Sequence, residues 1–274
     1  MKKRAFCVFL SLLLLLLPVP ARAEEPLRLP IVMYHHISEN PSQWNDYVIS
    51  PAEFDADLRY LRDRGYETVS VSQLLAWQEG RFQMPEKPCM ITFDDGFEST
   101  RAYAEPLLAQ YGFCGVVAVI GAICEKFSQV DAHNPDTDNM SWEEVAEMAE
   151  RGVIQIQCHT WDMHGMYPRK GCNQRRGESD ESYRLTLSSD LNRFLDGCRE
   201  REIDLQPSIA YPYGSFCGET TRTVRSLGFL AAFTCAEKVN VLTGEAEQLY
   251  DLGRYNRPHG VSSENFFRKW EENT

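Results

Sequence analysis

The sequence predicts an α/β fold in which roughly eight strands, mostly parallel, alternate with helices to form a barrel or a sheet. Short apolar runs of strand length recur along the chain, and segments with apolar residues at helical spacing separate them. Two of those helical segments begin with a capping box. Because no internal repeat, low-complexity tract or linker interrupts the pattern, we expect one domain.

The first half of the chain predicts four strands and three helices. Residues 31–34 form an apolar run of strand length. Ser50 and Glu53 form a capping box with Pro51 at the first helical position, and Gly65 ends this helix. The later elements of this half are a strand at 67–71, a short helix at 72–77, a strand at 89–91, a helix at 99–110 and a strand at 113–120.

The second half opens on a polar segment, 121–140, that we predict to be irregular. Ser141 and Glu144 then form a second capping box, and the following strand ends at His159. After another long loop, apolar residues recur at helical spacing between positions 183 and 198. The remaining predicted elements are a strand at 208–211, a helix at 220–227, strands at 229–234 and 249–255, and a helix at 263–270.

Residues 1–23 are typical of a secretory signal peptide. Basic residues at 2–4 precede an apolar stretch at 6–17, and residues 21–23 are Ala-Arg-Ala, a cleavage signal. The alternative is a retained membrane anchor, but the apolar stretch is short for a bilayer span and no other long one follows. We therefore expect a secreted or extracytoplasmic monomer without a retained transmembrane helix, whose functional domain comprises residues 24–274.

The chain is strongly acidic. Its 40 acidic and 28 basic residues give a formal net charge of −12, and removal of the four basic residues of the signal peptide lowers it to −16. This charge argues against nucleic acid as a partner and is compatible with a neutral glycan. Eight cysteines follow the signal peptide, and of these Cys124, Cys172 and Cys217 lie in predicted loops, where disulfides are favoured over buried thiols. Cys235 lies in a predicted strand and is expected to be buried.

Two adjacent carboxylates, Asp94 and Asp95, follow the predicted strand at 89–91 and precede Gly96. The carboxyl ends of strands are where α/β folds build active sites. Neighbouring side chains at a strand end point in different directions, so one carboxylate can hold a metal while the other manages protons. The alternative is a simple Asp-Asp-Gly turn.

A second polar group, His159 and His164, follows the strand at 153–158. Residues five apart do not share one face of a helix, so the pair requires a loop or tight turn leaving the strand. With one Asp, the two imidazoles form a three-ligand set that suits zinc and leaves a position open for water. Taken alone, two such histidines more often have a structural role than a metal-binding one.

The third group, Tyr211-Pro212-Tyr213-Gly214, also follows a predicted strand. Pro212 and Gly214 favour a rigid turn whose backbone N–H groups are able to stabilise an oxyanion. An ordinary turn at the end of a strand is the alternative.

Together and in this order, the three groups resemble the motifs of the polysaccharide deacetylase family, the NodB-homology domain of carbohydrate esterase family 4. Residues 92–96 match the first motif, His159-Thr160 with His164 the second, and 211–214 the third, while 33–37 is similar to the opening strand. The resemblance spans roughly residues 30–270. It implies a distorted (β/α) barrel of about seven or eight mostly parallel strands.

The resemblance also implies a division of roles. Asp95, His159 and His164 would bind a divalent metal, with zinc expected, and Asp94 would act as the general base. The backbone N–H of Tyr213 would help to hold the oxyanion. We expect Tyr211, Pro212, Gly214 and His35 to contact the substrate.

Three departures from the family pattern concern catalysis. The two histidines are five apart rather than four, which resembles the branch that acts on poly-N-acetylglucosamine. Where the third motif often carries an Arg that tunes the catalytic Asp, this chain has Ala210, so either another residue takes that role or activity is weaker. Arg254 and Arg257 are the candidates, and a surface ion pair is the equal alternative for them. The general-acid histidine has no clear counterpart, and the candidates for it are His35, His36 and His259.

The resemblance implies a secreted metal-dependent deacetylase that removes N-acetyl groups from a polysaccharide containing N-acetylglucosamine. An O-acetyl esterase acting on xylan or another glycan would share the same site chemistry. A carbohydrate-binding protein that has kept the fold without activity is a third interpretation. Retention of both aspartates and both motif histidines argues against the third.

Overall fold

A computed structural model of the protein describes residues 25–131 and 133–272. The predicted signal peptide, 1–23, lies outside the described residues. Among the residues that are described, no helix combines the length and apolar character needed to cross a bilayer.

Twelve strands lie in the described part of the chain, and eight of them form one parallel sheet. In chain order they are β1 Leu27–Leu29, β2 Ile31–Tyr34, β3 His36–Ile37, β4 Val48–Ile49, β5 Glu67–Thr68, β6 Pro88–Phe93, β7 Gly115–Val119, β8 Ile154–Cys158, β9 Leu205–Ala210, β10 Ala231–Phe233, β11 Asn240–Leu242 and β12 Tyr255–Asn256. The sheet order is β10-β9-β8-β7-β6-β2-β12, with β5 paired to the start of β6. The predicted α/β fold with seven or eight parallel strands is confirmed.

Eight α-helices alternate with these strands in the residues described. They are α1 Pro51–Asp63, α2 Val71–Gln78, α3 Glu105–Tyr111, α4 Gly121–Phe127, α5 Trp142–Arg151, α6 Asp180–Glu200, α7 Gly218–Ser226 and α8 Ser263–Glu272. Both predicted capping boxes are confirmed, since the side chains of Ser50 and Ser141 each accept from the third helical backbone N–H, and their own backbone N–H groups donate to the carboxylates of Glu53 and Glu144.

Alternation along the strands divides the core into two apolar clusters. On β6, Ile91 and Phe93 belong to the larger cluster, which contains helical residues such as Leu58 and Leu108. Met90, the residue before Ile91, belongs to the smaller cluster on the other face of the sheet. With both faces covered, the strand is fully buried, as expected for a parallel sheet.

Residues 252–256, which we call the closing segment, join the two sides of the sheet and make it a distorted barrel. At one end Leu252 pairs with β10, donating to Ala232 O at 3.0 Å and accepting from Thr234 N at 2.8 Å. At the other end β12 pairs with β2. Gly253 is required here, because a Cβ would lie 2.4 Å from the Ala236 carbonyl oxygen.

A buried ion pair fixes the chain just beyond the closing segment. The Arg257 guanidinium donates to both carboxylate oxygens of Asp57 on α1, at 2.7 and 3.0 Å. Tyr34, the last residue of β2, also donates to this carboxylate at 2.9 Å. All three side chains are buried, so α1, β2 and the closing segment meet at one desolvated charge cluster.

Several predicted boundaries were wrong. The strand predicted at 249–255 is a 3₁₀ turn at Ala246–Tyr250 followed by the short β12, because Leu249 and Tyr250 are buried in a helical turn rather than by strand alternation. The segment 121–140 contains α4, where Cys124 is buried rather than in a loop. Cys235 is exposed, since β10 ends at Phe233. All eight cysteines of the described residues are free thiols.

Candidate metal centre

The carboxyl ends of β2, β6, β8 and β9 lie at one edge of the sheet and carry the predicted motifs. Asp94 continues the β6 ladder, donating its N–H to Tyr34 O at 3.0 Å. Asp95 then adopts a left-handed conformation with φ +71°, and Gly96 follows at φ +70°. After this abrupt turn the two adjacent carboxylates have different partners: Arg254 for Asp94, and the two motif histidines for Asp95.

Asp95 faces both motif histidines. Its Oδ1 lies 3.1 Å from His164 Nε2 and 3.5 Å from His159 Nε2. The three ligand atoms all lie within 4.8 Å of one another. Burial raises the pKa of Asp95, but the neighbouring imidazoles of His159 and His164 outweigh it and hold that pKa well below its ordinary value.

The donor set fits a divalent metal. Two imidazole nitrogens and one carboxylate oxygen are the ligands of a catalytic zinc site with an open position. Asp95 Oδ1 is buried and has no hydrogen-bond partner, so a cation would satisfy it. His159 Nδ1 lies 2.8 Å from the Ala210 carbonyl, which fixes the ring with Nε2 toward Asp95.

The loop between the two histidines explains their spacing of five. Thr160 adopts φ +72°, which turns the chain directly after His159. The backbone N–H groups of Trp161 and Asp162 both donate to the carboxylate of Asp190 on α6, each at 2.8 Å. This anchor returns the chain to the strand end, so that the predicted loop or tight turn is observed. Asp190 carries no local motif, and the sequence did not identify it.

Asp94 lines the same cavity as the three ligands and is bonded to Arg254 of the closing segment. The guanidinium donates to both Asp94 oxygens, at 2.6 and 2.8 Å, and its Nε donates to Thr234 O at 3.0 Å. Burial raises the pKa of Asp94, but the charges of Arg254 and His159 outweigh it and lower the pKa below its ordinary value. Of the two predicted arginines, Arg254 is therefore the partner, and Arg257 is occupied by Asp57.

The third motif brings Tyr213 to the site. Tyr213 adopts φ +59° and donates from its hydroxyl to His164 O at 3.1 Å, with its ring 4.8 Å from that imidazole. Gly214 allows the close approach behind this turn, since a Cβ there would lie 2.7 Å from Cys235 N. Tyr211 and Pro212 are buried, and Tyr211 stacks on Phe216. Their side chains do not line the cavity, which gives no support to direct contact with substrate.

The three candidate histidines for the general acid lie in different surroundings. His35 lines the same cavity as the metal ligands. His36 also borders the cavity, but its ring nitrogens are held by Ser99 Oγ and the Asp136 carbonyl. His259 is held by Glu53 at 2.8 Å and does not line the cavity. Burial lowers the pKa of His35, while the nearby carboxylates of Asp94 and Asp95 act in the opposite direction.

A cavity of about 1040 Å³ opens over this edge of the sheet. Its floor carries Asp94, Asp95, His159 and His164, and one wall is formed by residues from the 41–48 turn. The structure thus brings together all the residues predicted to act in catalysis or metal binding. Their chemical roles stay predictions.

Comparison with known proteins gives one family and several relatives. The family model for polysaccharide deacetylase matches residues 82–232, more than half of the chain. YxkH of Bacillus subtilis (strain 168) is 28 % identical over 217 residues, covering 78 % of this chain and 66 % of that protein. The poly-beta-1,6-N-acetyl-D-glucosamine N-deacetylase of Escherichia coli (strain K12) is 22 % identical over 223 residues, covering 74 % of this chain and 33 % of the relative.

Among solved structures, IcaB from Ammonifex degensii is similar, with a TM-score of 0.69 and 26 % identity. The similarity covers 85 % of this chain and 92 % of the IcaB chain. In contrast, this chain spans about two thirds or less of the length of the two curated relatives described above. The common part is the deacetylase domain fold.

Proposed function

This chain belongs to the polysaccharide deacetylase family, and from that premise we propose that it is a secreted metal-dependent enzyme that removes N-acetyl groups from a polysaccharide containing N-acetylglucosamine. One observation carries the proposal. The Asp95, His159 and His164 ligand atoms converge beside a second carboxylate that a buried arginine holds in place. A site that only binds sugar has no need for this pairing.

Asp95, His159 and His164 would hold the divalent metal, with zinc expected from the donor set. When bound, such a metal polarises the acetyl carbonyl and makes a water molecule more acidic. His159 is preset for ligation, because its Nδ1 is bonded to the Ala210 carbonyl. Ala210 therefore supports a proposed metal ligand through its backbone carbonyl.

Asp94 is the general base in this proposal. Its carboxylate takes a proton from the attacking water, and Arg254 keeps it ionised and fixed in orientation. The backbone N–H of Tyr213 donates to the oxygen that becomes negatively charged. His35 gives a proton to the departing amine nitrogen, so that water and the acetamide become acetate and a free amino sugar. His36 and His259 are less suited because other groups hold them.

The substrate class rests on the relatives and on the charge of the chain. The Escherichia coli relative is named for poly-beta-1,6-N-acetyl-D-glucosamine, and a polymer of this class is our proposed substrate. The strong acidity of the chain disfavours nucleic acid. Secretion is proposed from the signal-peptide pattern at 1–23, and its test is the N-terminal sequence of protein recovered outside the cytoplasm.

Acetate release from a panel of glycans tests the function. The purified mature chain is assayed on poly-β-1,6-N-acetylglucosamine, chitooligosaccharides, peptidoglycan and acetylxylan, with bound metal measured in the same preparation. Acetate from an N-acetylated glycan supports the proposal. Acetate released from acetylxylan alone would make the protein an O-acetyl esterase. If metal-loaded protein releases no acetate from any glycan, the deacetylase proposal fails and the interpretation as an inactive carbohydrate-binding protein remains.

Arg254 is a positioning residue with a predicted effect on the pH profile. Arg254→Gln is expected to lower kcat by about a hundredfold at neutral pH, because the general base loses its orientation. Since Arg254 holds the pKa of Asp94 down, its removal raises that pKa, and the acidic limb of the kcat profile moves to higher pH. Arg254→Lys, which keeps the charge without the two-pronged geometry, is expected to shift the limb less.

The measurement is kcat against pH for the wild type and both variants, with metal content as a control. If the acidic limb of the kcat profile does not move in Arg254→Gln, the Arg254–Asp94 pair is not the cause of the low Asp94 pKa. Equal shifts in both variants would show that geometry rather than charge is responsible.

A further inference from the structure

The cavity extends well beyond the metal centre. Its volume of about 1040 Å³ is at the upper end of the range for small-molecule sites and exceeds what an acetamido group requires. The additional space is bordered by the 41–48 turn, which contributes Gln43, Asn45 and Tyr47. Amide side chains beside an aromatic ring offer hydrogen bonds and an apolar face at the same place.

Tyr47 is the exposed aromatic residue on this wall. Its side chain belongs to the small group of large apolar residues that face solvent, with 58 % of the residue exposed. Its ring meets the ring of His35 edge-on, with centroids 5.0 Å apart and an interplanar angle of 77°. Tyr47 therefore lies one ring away from the residue proposed to protonate the leaving amine.

The backbone around Tyr47 is rigid although the side chain is exposed. Its N–H donates to Asn45 Oδ1 at 2.8 Å, and its carbonyl accepts from His36 N at 3.1 Å. Asn256, the last residue of the closing segment, donates to the Asp46 carbonyl at 2.8 Å. A rigidly presented tyrosine loses little conformational entropy when it binds a ligand.

A second tyrosine faces the cavity from the third motif. Tyr213 is 39 % exposed, and its ring rests on His164. Each of the two tyrosines is thus placed against a different histidine of the site, one after β2 and one in the loop after β8. Both tyrosines line the cavity that holds the metal ligands, and Asp95 lies 3.1 Å from the imidazole on which Tyr213 rests.

From these contacts we propose that Tyr47 is a stacking platform for a sugar ring, so that the site binds a chain of N-acetylhexosamine units rather than an isolated acetyl group. This inference rests on the proposed function. The apolar C–H face of a pyranose packs on the tyrosine ring, while its hydroxyl groups are within reach of the amides on the same wall. Tyr47 then determines preference for oligosaccharide over small acetyl compounds.

The test compares an oligomer of β-1,6-linked N-acetylglucosamine with 4-nitrophenyl acetate, which carries no sugar. Tyr47→Ala is expected to raise KM for the oligomer about fivefold to tenfold, the range for loss of one ring contact. The loss in kcat/KM on the oligomer should exceed the loss on 4-nitrophenyl acetate at least fivefold, on that same basis. Tyr47→Phe is expected to restore the oligomer KM, because stacking does not need the hydroxyl.

Tyr167→Ala is the matched control, since Tyr167 is 91 % exposed and does not line the cavity. It should leave both substrates unaffected. Equal losses on both substrates for Tyr47→Ala, no loss at all, or the same loss in Tyr167→Ala would overturn the inference. Melting temperatures identify any variant that is merely destabilised.

Calorimetric titration with the same oligomer keeps the inference separate from the proposed function. If the wild type releases no acetate from any glycan, the deacetylase proposal fails. The platform is then supported by weaker oligomer binding in Tyr47→Ala than in Tyr167→Ala. Equal binding in these two variants, or no binding by the wild type, refutes the platform.

Discussion

Asp94→Asn is expected to lower kcat for acetate release by about a thousandfold, within the range for loss of a general base. The amide keeps the size of the side chain but cannot take the proton from the attacking water. The amount of bound metal should be unchanged, because Asp94 is bonded to Arg254 and is not one of the three metal ligands. Steady-state kinetics and metal analysis of the same preparation measure both effects.

Two further variants define what this result means. His159→Ala should lose metal and activity together, since it removes a ligand. Asp162→Asn makes the same change at an exposed aspartate in the loop between the histidines and should keep both. If Asp94→Asn retains more than about a tenth of the wild-type kcat, Asp94 is not the general base.

Asp57→Ala is expected to cost about 3–5 kcal/mol in the free energy of unfolding. The change leaves the guanidinium of Arg257 buried without its carboxylate and removes the acceptor of the Tyr34 hydroxyl. The desolvation penalty of the guanidinium then has no compensation. Denaturant unfolding followed by circular dichroism measures the difference in the free energy of unfolding.

Asp63→Ala is the control on the same helix. Asp63 pairs with Arg62, but both side chains are more than half exposed, so this change should cost less than about 0.5 kcal/mol. A loss in Asp57→Ala no larger than that in Asp63→Ala would contradict the structural importance of the buried pair.

The sequence predicted the parts of the site that depend on local pattern. β6, β8 and β9 each end in a recognisable motif, and parallel strands bring their carboxyl ends to one edge. The convergence of Asp94, Asp95, His159 and His164 therefore followed from strand order alone. The capping boxes at Ser50 and Ser141 were predictable for the same reason, because their bonds lie within one turn.

The sequence could not choose between Arg254 and Arg257, which are three residues apart. Their partners, Asp94 and Asp57, are far away in the chain and are reached only because Leu252 pairs with β10 while β12 pairs with β2. That register depends on tertiary pairing of a segment whose bounds were predicted wrongly, since a 3₁₀ turn and the short β12 stand in place of the strand expected at 249–255. Asp190 was missed similarly, since its role requires knowing that α6 lies beside the histidine loop.

The third motif shows the limit of inference from residue type. Tyr211 and Tyr213 are equivalent in composition, yet the first is in the core and the second faces the cavity. The difference comes from the left-handed conformation of Tyr213, which the sequence does not specify. Tyr47 was missed because it stands in a turn without any catalytic motif.

We propose that Asp95, His159 and His164 hold a metal on which deacetylation depends. The most direct test of this proposal is acetate release from poly-β-1,6-N-acetylglucosamine before chelation, after chelation and after zinc is restored, with bound metal counted at each stage. We predict one metal per chain, loss of acetate release on chelation and recovery with zinc. Undiminished acetate release from fully metal-free protein would contradict it.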